Sequence, residues 1–247
     1  MSIAALQLGK DVESTNEDVI VGGGGFTLPT GLYPMIVENA YLDKSSGGAM
    51  NINLHLKRKT GGNQVYKHTI YITSGDAKGN KPYYEKDGKK HPLPGYSLAD
   101  QICKITAEVP LSQIVAEPKL VKLWDFDASA EIPREVPVVT EMLGKEIAIG
   151  MHLVRENKRT KQGEKWVDTN EAREFNEINK VFHTDGMTVT EKAAEATEAV
   201  FVEKWVKANT EDYVRDKFKP VAGAPASAGS TAPASTAAAA PDDLFND

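Results

Sequence analysis

Between Lys57 and Lys90 the chain interleaves cations with flat rings. Lys57, Arg58 and Lys59 form one group. Lys67 and Tyr71 follow, and then Lys78, Lys81, Tyr83, Tyr84, Lys86, Lys89 and Lys90 are spaced by glycines. Ammonium groups beside aromatic faces can hold an extended polyanion, the cations tracking phosphates while the rings stack on bases. A second basic group, Arg155, Lys158, Arg159 and Lys161 followed by Trp166, repeats the combination further along. These residues are the expected single-stranded nucleic-acid contacts. The lysines alone would read as an ordinary solvated loop, and the tyrosines among them carry the expectation.

Charge supports a local rather than a global polyanion site. The 247 residues carry 29 Lys and Arg against 35 Asp and Glu, a formal net charge of -6. The segment from Lys44 to Lys90 runs the other way, with ten basic residues and only Asp76, Glu85 and Asp87 opposing them.

Catalytic patterns are scarce. His55, His68, His91, His152 and His183 lie far apart and share no metal-ligand spacing. Asp125 and Asp127 form a lone DxD pair, the only hint of a metal-dependent nuclease. No nucleophile elbow occurs. The expectation is a non-enzyme with no catalytic residues, no metal and no cofactor. Gly22 to Gly25 lack the Lys-Ser/Thr that a phosphate loop needs. The single cysteine, Cys103, excludes an internal disulfide and sits in an apolar-periodic run that predicts a buried thiol. No apolar run suggests a membrane span or secretory signal.

The elements that must position these groups read as mainly β. Residues 31–42, 50–57 and 66–72 predict an antiparallel meander joined by glycine turns. Met50, Ile52, Leu54 and Leu56 face one way and Asn51, Asn53, His55 and Lys57 the other. Residues 74–94 read as a long polar insertion, and 96–106 as a helix capped by Ser97. Residues 117–140 read as Pro-rich and irregular. Residues 143–155 and 175–182 predict further strands around a basic turn at 157–163. A helical stretch from Thr190 carries an apolar stripe with a break near Asn209. The predicted organisation is a weakly structured segment at 1–25, one domain at 26–220, a disordered Ala/Pro/Ser/Thr linker at 221–241, and an acidic tip at 242–247. The tip is Asp242, Asp243, Leu244, Phe245, Asn246 and Asp247, an expected partner-binding element.

The tip, together with Gly31-Leu32-Tyr33, Ser46-Gly47-Gly48 before Asn53-Leu54, Leu143-Gly144-Lys145 and Phe175-Asn176-Glu177-Ile178, resembles bacteriophage single-stranded DNA-binding proteins of the OB-fold type. That resemblance implies a five-stranded, partly open Greek-key barrel with loop insertions and a C-terminal helix. It also implies binding of single-stranded DNA in phage replication, recombination and repair, in the cytoplasm of an infected bacterium. The tip would then recruit DNA polymerase and helicase-primase. The tip departs from the pattern, since Asn246 and Asp247 follow Phe245. The C-terminal helix covers the barrel, forms a homodimer contact or touches the tail, and the sequence does not choose. Two other readings remain: a non-enzymatic protein-interaction or assembly module, and a nuclease built around Asp125 and Asp127.

Overall fold

The computed structural model describes residues 27–125, 128–163 and 165–221. The N-terminal segment 1–25, Asp127, most of the linker and the tip 242–247 lie outside the described residues.

Strand β1 (Gly31–Lys44) organises the sheet. Its register against β2 (Met50–Arg58) shifts between Val37 and Asn39. A bulge of one residue exchanges odd for even positions on each face. Met35 and Val37 before the bulge therefore share the main core with Ala40 after it. Tyr41 is turned to the opposite face, where Leu123, Val136 and Val138 enclose it. Strand β2 places Ile52, Leu54 and Leu56 fully in the core, and β3 (Val65–Tyr71) adds Tyr66 and Ile70.

Residues 74–94 are more ordered than a polar insertion. A short 3-10 turn (Asp76–Lys78) leads into a separate two-stranded hairpin of β4 (Tyr83–Lys86) and β5 (Lys89–Pro92). Its turn is Asp87-Gly88, both at positive φ, the twist that two-residue hairpins favour. Helix α1 (Pro94–Thr106) starts two residues earlier than the sequence suggested. Its N-cap is Leu93 with no side-chain bond, so Pro94 rather than Ser97 marks the start. The buried Ala99, Ile102 and Cys103 seat it on the main core. Burial pushes the Cys103 thiol up to about 12, and Asp100 adds to the rise. Gly95 sets the docking distance: a Cβ there would stand 2.1 Å from the Tyr71 carbonyl oxygen. A Gly95→Ala variant is expected to lose about 1–3 kcal/mol, as an overpacked core does, measured by thermal unfolding. Wild-type stability would show that α1 packs elsewhere.

The proline-rich stretch is a second hairpin, β6 (Glu117–Asp125) with β7 (Ala130–Val138), joined to β1 where Tyr41 meets Val138. Strand β8 (Glu146–Gln162) pairs with the first part of β1, from Gly31 to Ile36. Strand β9 (Lys165–Phe182) pairs with β8, as does the short β10 (Val214–Asp216). Helix α2 (Val189–Ala193) and helix α3 (Val200–Ala208) lie between β9 and β10 in sequence. The expected long helical stripe is thus cut short: α3 ends before Asn209, and Val214 belongs to a strand.

The result is a mixed α/β fold with an open eight-stranded sheet. The path β10-β8-β1-β2-β3 carries β9 on β8 and the β6–β7 hairpin on β1. This corrects the expected mainly-β OB-fold. Among the described residues no strand pairing joins β3 back to the other end of the path, so no five-stranded barrel closes. The physical reason lies in β1, whose length and bulge let it serve β2, β7 and β8 at once.

Two compact units divide the described chain. The first, among the described residues 27–125, 128–153 and 175–214, holds all three apolar clusters. The second, among the described residues 154–163, 165–174 and 215–221, contains the outer parts of β8 and β9. Asn157 organises it, donating to the carbonyls of Thr169 (2.8 Å) and Lys219 (2.7 Å) and accepting from the Lys219 amide (2.9 Å).

Candidate functional site

The expected nucleic-acid contacts fall in several places. Lys57 and Arg58 end β2, and Arg58 lies over the Tyr33 ring at 5.4 Å. Lys59 pairs with Glu146 at 2.8 Å, and Lys67 approaches Glu131 at 3.8 Å. Lys67 and Tyr71 do share the outward face of β3, where Tyr71 is exposed. Lys78, Lys81, Tyr83, Tyr84, Lys86, Lys89 and Lys90 are together on the β4–β5 hairpin and the turn before it. There the Lys81 and Lys90 ammoniums stand 5.7 and 4.8 Å from the Tyr83 ring centre, and Tyr84 stacks on His91 at 5.5 Å. The second basic group belongs to the other unit. Arg155 pairs with Asp216 (3.2 Å), Lys158 with Glu171 (2.9 Å) and Arg159 with Asp168 (3.2 Å). Arg159 also donates to the Trp166 carbonyl, while Lys161 and the Trp166 ring are exposed.

The assignment to phage single-stranded DNA-binding proteins is overturned by the open sheet. That assignment placed the strand across the face of a five-stranded barrel, and the described fold has no such barrel. The replication, recombination and repair role falls with it. Lys59, Lys67, Arg155, Lys158 and Arg159 each lie within ion-pair distance of a carboxylate. The nuclease reading gains nothing. Asp125 accepts the Ala128 amide at 2.8 Å, and among the described residues no three His, Cys, Asp or Glu gather as a metal site.

A concave site lies elsewhere, in the first unit. A groove of about 650 Å³ opens between α1, α2 and α3. Its apolar lining is Pro92, Tyr96, Val189, Val200 and Phe201, and its cations are Lys104, Lys180 and Lys204.

Local chemistry fixes each wall. Thr188-Val189-Thr190-Glu191 is a capping box. The Thr188 hydroxyl accepts the Glu191 amide at 3.1 Å, and the Glu191 carboxylate accepts the Thr188 amide at 2.8 Å. The same carboxylate accepts the Phe201 amide at 2.8 Å, so one side chain joins the starts of α2 and α3. The amides of Thr188 and Phe201 hold Glu191 below the usual carboxylate range. On the α1 side Asp100 accepts the Leu111 amide at 2.9 Å and pairs with Lys104 at 2.7 Å.

The far side of α3 is anchored by Trp205. Its indole N–H donates to Asn179 at 2.7 Å, and its ring stacks on His152 at 5.9 Å. Gly150 makes the space, since a Cβ there would lie 2.7 Å from the indole. Trp205, Ala148 and Phe182 form the third apolar cluster, on the β8 face opposite Ile147, Ile149 and Met151. One end of α3 therefore grips the sheet, while Val200 and Phe201 at the other end are 48% and 38% exposed.

The groove's two carboxylates are both engaged by backbone amides. Lys104 is matched to Asp100, whereas no carboxylate among the described residues lies within ion-pair distance of Lys180 or Lys204. The Lys180 ammonium sits 5.3 Å from the Phe201 ring centre. Two uncompensated cations thus flank an exposed aromatic in a concave apolar site.

Sequence reasoning passed over this site. Its residues come from four separated segments, and each alone reads as a solvated or core position. One local signal was available, the Thr-x-x-Glu spacing at 188–191, which places a helix start where α2 begins. No protein-family model, no curated protein and no solved structure matches the chain.

Proposed function

We propose that this chain is a non-enzymatic peptide-binding module. Its groove between α1, α2 and α3 takes an acidic segment carrying one aromatic or large aliphatic side chain. The observation that carries the reading is the pairing of uncompensated Lys180 and Lys204 with exposed Phe201 and Val200 around one cavity. An inserted aromatic side chain contributes roughly 1.5–3 kcal/mol by burial. Each carboxylate–lysine pair at the rim adds about 0–1 kcal/mol. These terms total at most about 5 kcal/mol before the cost of association, which corresponds to a dissociation constant in the millimolar range or weaker, weakening with salt.

The test is a titration of the full chain with three labelled peptides: Glu-Glu-Trp-Glu-Glu, Lys-Lys-Trp-Lys-Lys and Glu-Glu-Ala-Glu-Glu. The first is expected to bind, and the other two to bind about tenfold more weakly or not at all, since each forfeits one of the two contributions. Phe201→Ala and Lys204→Glu are each expected to weaken the first peptide several-fold. Equal affinity for all three peptides, or indifference to both substitutions, would overturn the reading.

A further inference from the structure

We infer that β6 is a self-pairing edge, through which two copies of this chain associate antiparallel about Lys122. Among the described residues β6 pairs with β7 alone, so its other edge has no partner strand. The prolines show which groups that edge presents. Opposed residues in an antiparallel pair alternate between exchanging both backbone bonds and exchanging none. Pro118 stands opposite Pro137, and Lys122 opposite Pro133. Proline has no N–H to give, so these are non-bonded pairs. Leu120–Glu135 and Trp124–Glu131 fall on the same alternation and are non-bonded too. The N–H and C=O groups of Leu120, Lys122 and Trp124 therefore point away from β7. On the far side of the hairpin the same alternation turns Pro133 and Pro137 outwards, where they leave that edge short of donors. One edge of the hairpin is closed by proline and the other is left open.

The open edge fits a second copy of itself. Setting Lys122 opposite Lys122 of that copy puts Leu120 opposite Trp124 at both ends, and each opposed pair exchanges two backbone bonds. Registers centred on Leu120 or Val121 instead set Lys122 or Trp124 against Pro118, which cannot donate. Side chains agree with the register about Lys122. Leu120 and Trp124 are 74% and 51% exposed on one face of β6, and pairing covers each with the other. On the other face Lys119 comes opposite Asp125, a match of charge. The two Lys122 ammoniums meet as like charges, but Glu131 and Glu135 stand diagonally beside each Lys122 on β7 and offset them. Joining the edges brings together two strands and little else, so the interface is small and the association weak and concentration-dependent.

The experiment places single cysteines on the full chain and oxidises each variant with diamide. Bonded residues directly opposite one another have Cα atoms about 5.5 Å apart, within the reach of a disulfide. Lys122→Cys is therefore expected to give a disulfide-linked dimer. The two copies of residue 120 are offset by four residues along the paired strands, about 13 Å. Leu120→Cys is thus expected to cross-link about tenfold more slowly or not at all. Cys103 is buried and common to every variant. Adding Leu120→Lys and Trp124→Lys to Lys122→Cys charges the edge and should suppress its dimer to the Leu120→Cys rate. In sedimentation the average mass of the parent chain should rise with concentration, and L120K/W124K should stay monomeric. Equal cross-linking from positions 120 and 122, or none from 122, would overturn self-pairing at this edge. So would a parent dimer that L120K/W124K leaves unmoved, which would place the contact elsewhere. A parent that stays monomeric up to about 1 mM would leave the edge to a strand of another protein, and the inference would fall.

Discussion

Replacing Trp205 by Ala is expected to cost about 3–5 kcal/mol, the usual range for deleting a buried aromatic. Trp205 is only 5% exposed, bonds Asn179 through its indole N–H and packs with Ala148 and Phe182. Its carbonyl also accepts the Asn209 side-chain amide at 2.7 Å, and Asn209 in turn meets His152 Nε2 at 2.7 Å. Removing the indole breaks its bond to Asn179 and its packing against Ala148 and Phe182, and frees α3 from the sheet. For a chain of this size each kcal/mol lowers the unfolding midpoint by about 2–4 °C, so a fall of roughly 10 °C is expected. Because α3 carries Phe201 and Lys204, the variant should lose peptide binding even below its melting temperature. Gly150→Val attacks the same contact from β8, where the new side chain meets the indole. Retention of both stability and binding in either variant would show that α3 does not depend on this socket.

The second large effect is a pH dependence from His68. The side chain shares the inward face of β3 with Tyr66 and Ile70, opposite Leu54, and its Nε2 is buried with no hydrogen-bond partner. Burial disfavours the charged ring and pushes its pKa from 6.5 down to about 4. The unfolded chain takes up this proton near pH 6.5, whereas the folded chain resists it until about pH 4. The stability tied to the neutral ring is therefore complete above pH 6.5 and is lost as pH falls towards 4. Integrated over that window the loss is about 3 kcal/mol. His55 and His183 are also lowered by burial and add in the same direction. A His68→Leu variant isolates the contribution, since every other titrating group is common to both proteins. Denaturant unfolding at pH 7 and pH 4 should show the parent losing about 3 kcal/mol more than the variant. Parallel losses would place His68 in contact with water or a partner.

The meander β1–β3 was legible because alternation from Met50 to Leu56 and glycine turns on either side are short-range signals. Its extension into an open sheet was not. Closure or its absence depends on where β1 finds partners, and the decisive bulge between Val37 and Asn39 leaves no mark in composition. Pro118, Pro133 and Pro137 disguised the β6–β7 hairpin as irregular chain. Prolines are tolerated there because β7 meets β1 only at Val138, leaving most of the hairpin with edges that need no donors. Strand β8 looked one-sided in sequence, yet Ala148, Gly150 and His152 form a second packed face because α3 covers it. The basic tyrosine-bearing loop was legible as a local cluster. The groove was not, since Tyr96, Lys180 and Phe201 become neighbours only after α1, β9 and α3 have docked.

The most direct measurement is amide chemical-shift mapping on the full chain as Glu-Glu-Trp-Glu-Glu is added. The account predicts perturbations concentrated at residues 96–104, 180, 188–191 and 200–204, saturating together and fading with added salt. Perturbations centred on the β4–β5 hairpin or the outer face of β3, with the helices unmoved, would contradict it.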